Sequence, residues 1–219
     1  MLGGNLIRLR TVIALALMSV MAALAALAVA MGFGTYAAQS DNAGNTVTSA
    51  PSFDNTGYGS FSSQVATTGG DGNGFETNPT YASGDGPLYA SNIDGPGDRH
   101  VFYDFGLAPP SGSTIEGIRV RLDWWLDAVE GDNTMSVELS WDGGTSWTSA
   151  KTDAVESATE RTGVLGAAAD MWGRVWTVTE LADANLRLRV TCACSASPQC
   201  DSRDYYLDWV TINVYYTPP

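Results

Sequence analysis

The chain shows two different patterns of hydrophobic and polar positions. Residues 11–38, TVIALALMSVMAALAALAVAMGFGTYAA, contain no charged side chain, and a polar chain follows them. A helix that spans a bilayer needs about 20 consecutive apolar residues. The apolar run therefore predicts a long hydrophobic α-helix within an N-terminal segment, residues 1–40.

Beyond residue 100 the pattern changes to an alternation of apolar and polar residues. TIEGIRVRLDWWL (residues 114–126) places apolar side chains on one side and Arg or Asp on the other, and MSVELSW, LRLRV and YLDWVTINVYY repeat this period. A period of two is typical of strands with one buried face. About seven or eight such strands predict an immunoglobulin-like or jelly-roll β-sandwich. The predicted fold class is mainly β, with the hydrophobic helix preceding the sandwich.

The predicted extracellular domain, residues 41–219, has two parts. Residues 41–97 are rich in Ser, Thr, Asn, Gly and Asp and carry scattered aromatic residues, which predicts long loops with one or two short strands. Residues 98–219 form the strand-rich core. The Ser/Thr-rich tract could carry O-glycans, whereas proline blocks the N-glycosylation sequence at Asn78.

The charge balance narrows the classes of partner. Asp and Glu number 24, Lys and Arg number 11, and the net charge is −13. Such a chain cannot neutralise a phosphate backbone, so we expect no nucleic-acid binding. The acidic surface leaves room for calcium, and the oxygen ligands of Asp71, Asn73 and Glu76 form a weak candidate site, although Gly, Asp and Asn also simply make turns. No other cofactor is expected.

The apolar N-terminal run has three readings. Arg8 and Arg10 could head either a cleaved secretory signal or a simple membrane anchor. The third reading is a helix that packs against other helices, because small side chains let helix backbones approach closely. The small residues that would line such a packing face are Ala14, Ser19, Ala22, Ala23, Ala26, Ala30, Gly32 and Gly34.

A small-residue helix leading into a β-domain resembles subunits of surface filaments, namely archaellins and type IV pilins. The resemblance implies a helix that passes through the membrane before assembly and then bundles with its copies, so that self-association builds an extracellular homopolymer for motility or adhesion. The chain lacks the early glutamate of type IV pilins, since its first acidic residue is Asp41, and no Lys/Arg-Gly processing pair precedes the helix. We expect a structural filament subunit; the alternative is a secreted or anchored β-sandwich that binds polysaccharide.

SWDGGTSW, residues 140–147, is similar to the Asp-box hairpin of sialidases and other surface β-proteins. The positions that match the box are Ser140, Asp142, Gly144, Ser146 and Trp147. The carboxylate of Asp142 should accept backbone N–H groups across the turn, and Gly143 and Gly144 should adopt conformations closed to other residues. Because the box is structural in sialidases and occurs once here, it predicts a hairpin and no sialidase activity.

No pattern of residues indicates an enzyme. His100 is the only histidine, so a Ser-His or Cys-His nucleophile pair would depend on it, and a lone histidine in an Asp/Gly-rich loop is expected at the surface. Nothing singles out a pair of carboxylates for glycoside hydrolysis. We therefore expect a non-catalytic protein.

The tryptophans and cysteines give two further expectations. The chain has 7 tryptophans, most of them expected in the core, but Trp124 and Trp125 are adjacent in a strand and must point to opposite faces. One of them could meet a sugar ring. In an exported protein Cys200 would pair with Cys194 or Cys192, and the third cysteine would be buried or form an intermolecular bond.

Overall fold

The computed structural model describes residues 39–40, 46–47, 53–93, 95–195 and 202–219. The chain divides into two compact units, Met1–Ser52 and Phe53–Pro219. In the first unit the described residues form one antiparallel pair, β1 (Gln39–Ser40) and β2 (Thr46–Val47). Among the residues described, none belongs to a helix of the length and apolarity needed to span a membrane.

The predicted fold class is wrong in one respect, the long N-terminal hydrophobic α-helix. The helical elements of the described residues are two 3₁₀ turns, Pro79–Ala82 and Val178–Leu181, and the regular structure is otherwise β. The small-residue positions proposed for polymerisation, residues 14–34, lie outside the described residues. The physical reason for the error is that an apolar, small-residue composition permits a packing helix but supplies no partner helices for it.

The second unit is a sandwich of two antiparallel sheets. The five-stranded sheet has the order β10-β9-β12-β7-β5, and the six-stranded sheet has the order β11-β8-β13, with β3, β4 and β6 all pairing with β13. The strands are β3 (Asp54–Asn55), β4 (Gly59–Ser60), β5 (Ser63–Thr67), β6 (Ala90–Asn92), β7 (Arg99–Tyr103), β8 (Thr114–Leu126), β9 (Asn133–Ser140), β10 (Lys151–Asp153), β11 (Arg161–Gly166), β12 (Arg187–Cys194) and β13 (Tyr205–Thr217).

The core lies between the two sheets, where the alternation of the sequence places the apolar side chains. The burial of successive β12 residues alternates, as expected for a strand with one face in the core. The fully buried apolar side chains of the long strands include Ile118, Val120, Leu122, Trp124, Leu126, Met135, Val137, Leu139, Leu188, Val190, Leu207, Val210, Ile212 and Val214. The outer faces of both sheets therefore carry the polar and aromatic residues that remain.

The segment called loop-rich, residues 41–97, contains five short strands, β2 to β6, rather than one or two. β3 to β6 lie within residues 53–92 and have two to five residues each. Such short strands show no readable alternation, and β3, β4 and β6 form only by pairing with the 13-residue strand β13. Their existence therefore depends on β13, not on their own composition.

The pairing of β8 with β13 contains an irregularity that matters for the outer face. Leu207 pairs with Trp124 and Trp209 pairs with Asp123, so Asp208 is an extra residue in a β-bulge. A bulge redirects the side chain at the extra position. Asp208 is only 1% exposed although it carries a carboxylate.

Candidate functional site

The outer face of the six-stranded sheet carries a group of aromatic side chains at one end. Trp124 points into the core with no exposed surface, and the following residue, Trp125, is partly exposed on the outer face. This confirms the expectation that the two rings lie on opposite faces. The strand register places Trp125 directly opposite Tyr206, and Tyr89 immediately precedes β6 on the other side of β13.

Tyr89, Trp125 and Tyr206 form what we call the aromatic triad. Ring centroids are 4.9 Å apart for Tyr89 and Trp125, 5.3 Å for Tyr89 and Tyr206, and 5.3 Å for Trp125 and Tyr206. Tyr89 stands edge-on to the other two rings, whose planes differ by 35°. Tyr89 is 42% exposed, so the triad meets solvent. The triad presents apolar ring surface with a polar hydroxyl on each tyrosine.

Polar side chains border the triad. The Tyr206 hydroxyl donates to Asp204 at 3.2 Å, and burial together with the Asp204 carboxylate raises the pKa of Tyr206 to about 12. Asp127 accepts a hydrogen bond from the Asp204 backbone N–H at 3.0 Å and pairs with the Arg203 guanidinium at 3.3 Å. An apolar platform edged by carboxylates and a guanidinium can contact the C–H face of a sugar and hydrogen-bond to its hydroxyls.

The other aromatic rings of this face are already covered. Trp209 lies near Tyr58, with centroids 5.9 Å apart, and the Arg121 guanidinium lies 4.5 Å from the Trp209 ring. Further along β13, the Arg119 guanidinium lies 5.3 Å from the Tyr215 ring. In the part of the chain that the structure describes, no such cation lies over a ring of the aromatic triad.

The outer face of the five-stranded sheet offers a second surface with aromatic rings. A groove of about 340 Å³ runs past Val65, Tyr103, Trp147 and Arg187. The Arg187 guanidinium lies 4.4 Å from the Tyr103 ring, and Arg189 lies 4.1 Å from the Trp147 ring. These guanidiniums occupy the ring faces that a sugar would need. The aromatic triad is therefore the better candidate for stacking.

The Asp-box residues form the turn that follows β9. Asp142 Oδ1 accepts backbone N–H groups from Thr145 at 3.1 Å and Ser146 at 2.8 Å, and the Ser140 hydroxyl accepts from the Gly144 N–H at 2.8 Å. These bonds, that from Ser146 above all, lower the pKa of Asp142.

Both glycines of the box have positive φ angles, 75° for Gly143 and 99° for Gly144. The Trp147 indole N–H donates to the Gly144 carbonyl at 3.0 Å, so the ring folds back over the turn. Every polar group described here is used within the hairpin, so the box stabilises a turn and has no group directed at a ligand.

The residues considered for calcium are engaged in turn and loop hydrogen bonds. The Asp71 carboxylate accepts from the backbone and side-chain N–H groups of Asn73 at 3.0 and 2.8 Å. Glu76 Oε1 accepts from the Ile93 N–H at 2.7 Å. Asp98 is buried beneath this turn, and burial together with the Asp71 charge raises its pKa. The geometry is that of a hydrogen-bonded turn.

His100 is not at the surface, and the sequence expectation for it is wrong. It is 2% exposed, because it lies within β7 on the same side as Phe102, whose ring centroid is 4.9 Å away. Its Nδ1 accepts the Phe75 N–H at 3.1 Å and its Nε2 contacts Gln64 Oε1. The Asp/Gly-rich composition before residue 99 predicted a loop, but β7 begins at Arg99, and the geometry of the strand directs the His100 ring into the protein.

The cysteines have different states. Cys192 carries a free thiol on the inward face of β12, and burial raises its pKa. Cys194 is disulfide-bonded, and Cys200 lies outside the described residues. A disulfide is typical of proteins that function outside the cytoplasm.

No family model and no curated protein sequence matches the chain. Among solved structures, it is similar to a truncated AlyQ with CBM32 and alginate lyase domains, at 13% identity and a TM-score of 0.40, over 76% of this chain and 35% of that one. It is also similar to the CBM22-1-GH10 modules of Clostridium thermocellum xylanase 10B, at 10% identity and 0.37, over 74% and 28%. A xylan-binding module, CBM15, matches at 12% identity and 0.35, over 71% and 97%.

The chain thus spans about a third of the first two matched structures. At these identities and TM-scores the matches do not support any function for this chain, so the argument for its function rests on the aromatic triad.

The expectation of an archaellin- or pilin-like filament subunit is wrong. The regular structure of the described residues is β apart from two 3₁₀ turns, and these residues contain no assembly helix. The expectation rested on the composition of the first forty residues and on the layout of an apolar segment followed by a β-domain. A run of apolar and small residues is shared by export signals, anchors and packing helices, so it did not specify a filament.

Proposed function

We propose that this protein is a non-catalytic β-sandwich module that binds extracellular polysaccharide. One observation supports the proposal: the aromatic triad forms a partly exposed platform on the outer face of the six-stranded sheet. Sugar rings present apolar C–H faces that pack on aromatic rings, and Trp and Tyr combine a large apolar body with a polar tip. The disulfide at Cys194 is in keeping with a location outside the cytoplasm.

Each part of the triad has a role in this proposal. Trp125 and Tyr206 provide the stacking surface, and Tyr89 supports it from the side. Asp127 and Arg203, at the border, supply an acceptor and donors for sugar hydroxyls. The Asp127 and Asp204 carboxylates beside the triad and the net charge of −13 favour a neutral polysaccharide over an acidic one, because like charges repel.

The test is binding of the full chain to soluble xylan, galactan and alginate, measured by calorimetry and by retardation in polysaccharide-containing gels. Alginate and xylan are the polysaccharides named with the matched structures, and galactan is a second neutral glycan. We expect binding to a neutral glycan that Trp125→Ala weakens at least about fivefold, which corresponds to about 1 kcal/mol of stacking energy. Tyr89→Ala, at a 42% exposed position, should weaken binding without affecting the core.

The matched control is Trp147→Ala, which removes a partly exposed tryptophan of the turn after β9, beside the groove on the five-stranded sheet. This variant should bind as the unaltered protein does. If Trp147→Ala abolishes binding and Trp125→Ala retains it, the binding site lies on the five-stranded sheet instead. If the protein binds none of the three glycans, the proposal is contradicted for these polysaccharide classes.

A further inference from the structure

Three carboxylates from distant parts of the chain meet beside the Arg121–Trp209 pair of the six-stranded sheet. Asp85 lies in the loop between the first 3₁₀ turn and β6, Glu160 immediately precedes β11, and Asp208 is the bulge residue of β13. One oxygen from each carboxylate lies within 4.8 Å of the others. Two oxygens bound to one Ca²⁺ at 2.3–2.6 Å are at most about 5 Å apart, so all three can reach a single ion.

The Asp208 carboxylate supplies an independent indication of a ligand. The residue is 1% exposed, and its Oδ2 accepts the Gly86 N–H at 3.1 Å. Its Oδ1 is buried and has no hydrogen-bond partner. A buried anionic oxygen without a partner is costly, and the usual remedies are a paired cation or a coordinated metal.

The charges around the site are unbalanced. Asp123, which is fully buried, is a fourth carboxylate nearby, and one guanidinium, that of Arg121, pairs with it at 2.6 Å and with Asp85 at 3.1 Å. Glu160 and Asp208 make no ion pair among the described residues. The site therefore carries excess negative charge directed at one point.

We propose that Asp85, Glu160 and Asp208 bind a calcium ion. Ca²⁺ accepts six to eight oxygen ligands in flexible geometry, whereas Mg²⁺ demands near-ideal octahedral geometry. Asp85 and Glu160 are exposed, so water can complete the coordination shell, and their positions in connecting segments allow them to adjust. These properties favour calcium over magnesium.

The ion would fasten a connecting segment onto the sheet. The segment that carries Asp85 also lines a cleft of about 250 Å³, together with Tyr81 and Leu88, and continues directly into Tyr89 of the aromatic triad. Calcium binding would thus order the approach to the triad. The calcium site does not depend on polysaccharide binding, and each is measured without the other.

The experiment uses the full chain, stripped of metal with a chelator, and follows calcium binding by calorimetry and the thermal midpoint of unfolding. We expect a Kd of about 0.1 to 1 mM, the range of extracellular calcium modules, and a midpoint that rises with calcium concentration. Mg²⁺ at the same concentrations should give a smaller shift. Asp208→Asn and Glu160→Gln should each weaken calcium binding at least about tenfold.

Two comparisons separate a metal site from a structural role. Without metal, Asp208→Asn should be at least as stable as the unaltered protein, because it relieves repulsion among carboxylates. If Asp208→Asn fails to fold, the exposed Glu160→Gln carries the test. Asp71→Asn, an acidic position in another turn, is the matched control and should leave the calcium response unchanged.

The proposal is overturned if calcium produces no heat and no shift in the midpoint, or if the response survives Asp208→Asn and Glu160→Gln. Loss of the response in Asp71→Asn would also overturn it, since the ion would then lie in the other turn. An equal response to Mg²⁺ would overturn the choice of calcium.

Discussion

His100 should make the stability of the sandwich depend on pH in a way that a single substitution can isolate. Its Nδ1 accepts a backbone N–H, so the proton of the neutral ring must be on Nε2, directed at Gln64. A second proton on Nδ1 would face the Phe75 N–H. Burial lowers the pKa of His100 to about 4 from its ordinary 6.5.

The sign and size of the effect follow from linkage. Because the folded pKa lies below the unfolded one, the unfolded state binds more protons between these values, and stability falls as the pH decreases from about 6.5 to 4. The loss attributable to His100 is about 2 kcal/mol at pH 5 and about 3 kcal/mol at pH 4. This is a large fraction of the stability of an ordinary domain.

The comparison is between the unaltered protein and His100→Asn, whose amide oxygen can still accept the Phe75 N–H but whose side chain does not titrate. The free energy of unfolding is measured with urea at pH 7 and pH 5, using tryptophan fluorescence. The variant will be less stable at pH 7, since Gln64 loses its partner. Between the two pH values, however, the unaltered protein should lose about 2 kcal/mol more than the variant does.

The carboxylates titrate equally in both proteins, so the difference between them reports on His100. An equal pH dependence in the two proteins would refute the reasoning, because it would mean that His100 is protonated without cost in the folded state.

Two further predictions concern turns. Asp142→Ala should lower the thermal midpoint of unfolding at pH 7. Because the pKa of Asp142 is lowered in the folded protein, the difference in midpoint between the two proteins should disappear as the pH falls through that pKa. An unchanged midpoint at pH 7 would show that the backbone hydrogen bonds to Asp142 do not stabilise the hairpin. Gly166→Ala should destabilise by more than about 2 kcal/mol, because a Cβ there would lie 2.2 Å from the Ile118 carbonyl oxygen. Gly173→Ala is its control: φ is 77° at both glycines, but a Cβ at Gly173 meets no atom within 4 Å, so only the backbone strain of about 1 kcal/mol applies. Equal losses in urea unfolding would contradict this reasoning.

The long strands and the core could be read from the sequence. Over residues 118–126 of β8 and 210–214 of β13 the apolar residues of the core recur at every second position, so the period alone determined which residues there point inward. The adjacent tryptophans were predictable in the same way, since successive side chains of a strand point to opposite faces of the sheet. The turn at residues 140–147 was also predictable, because its hydrogen bonds join residues at most four positions apart.

The aromatic triad and the carboxylate cluster could not be found this way. Tyr89 and Tyr206 are separated by more than a hundred residues, and nothing local relates them. His100 misled the sequence argument for a similar reason, since its burial depends on neighbouring strands β5 and β12. The prediction from the apolar N-terminal run was wrong because its small-residue composition was taken as evidence of neighbouring helices.

The sequence by itself thus determined which residues of the long strands face the core and where one tight hairpin forms, because these follow from interactions within a few residues. Tertiary structure decided everything that requires two distant strands in register. The pairing of β13 with β6 and β8 set Tyr89 and Trp125 on either side of Tyr206, and the bulge at Asp208 turned a carboxylate toward two others. Register and bulges depend on the pairing of whole sheets, and that information is not contained in any local pattern.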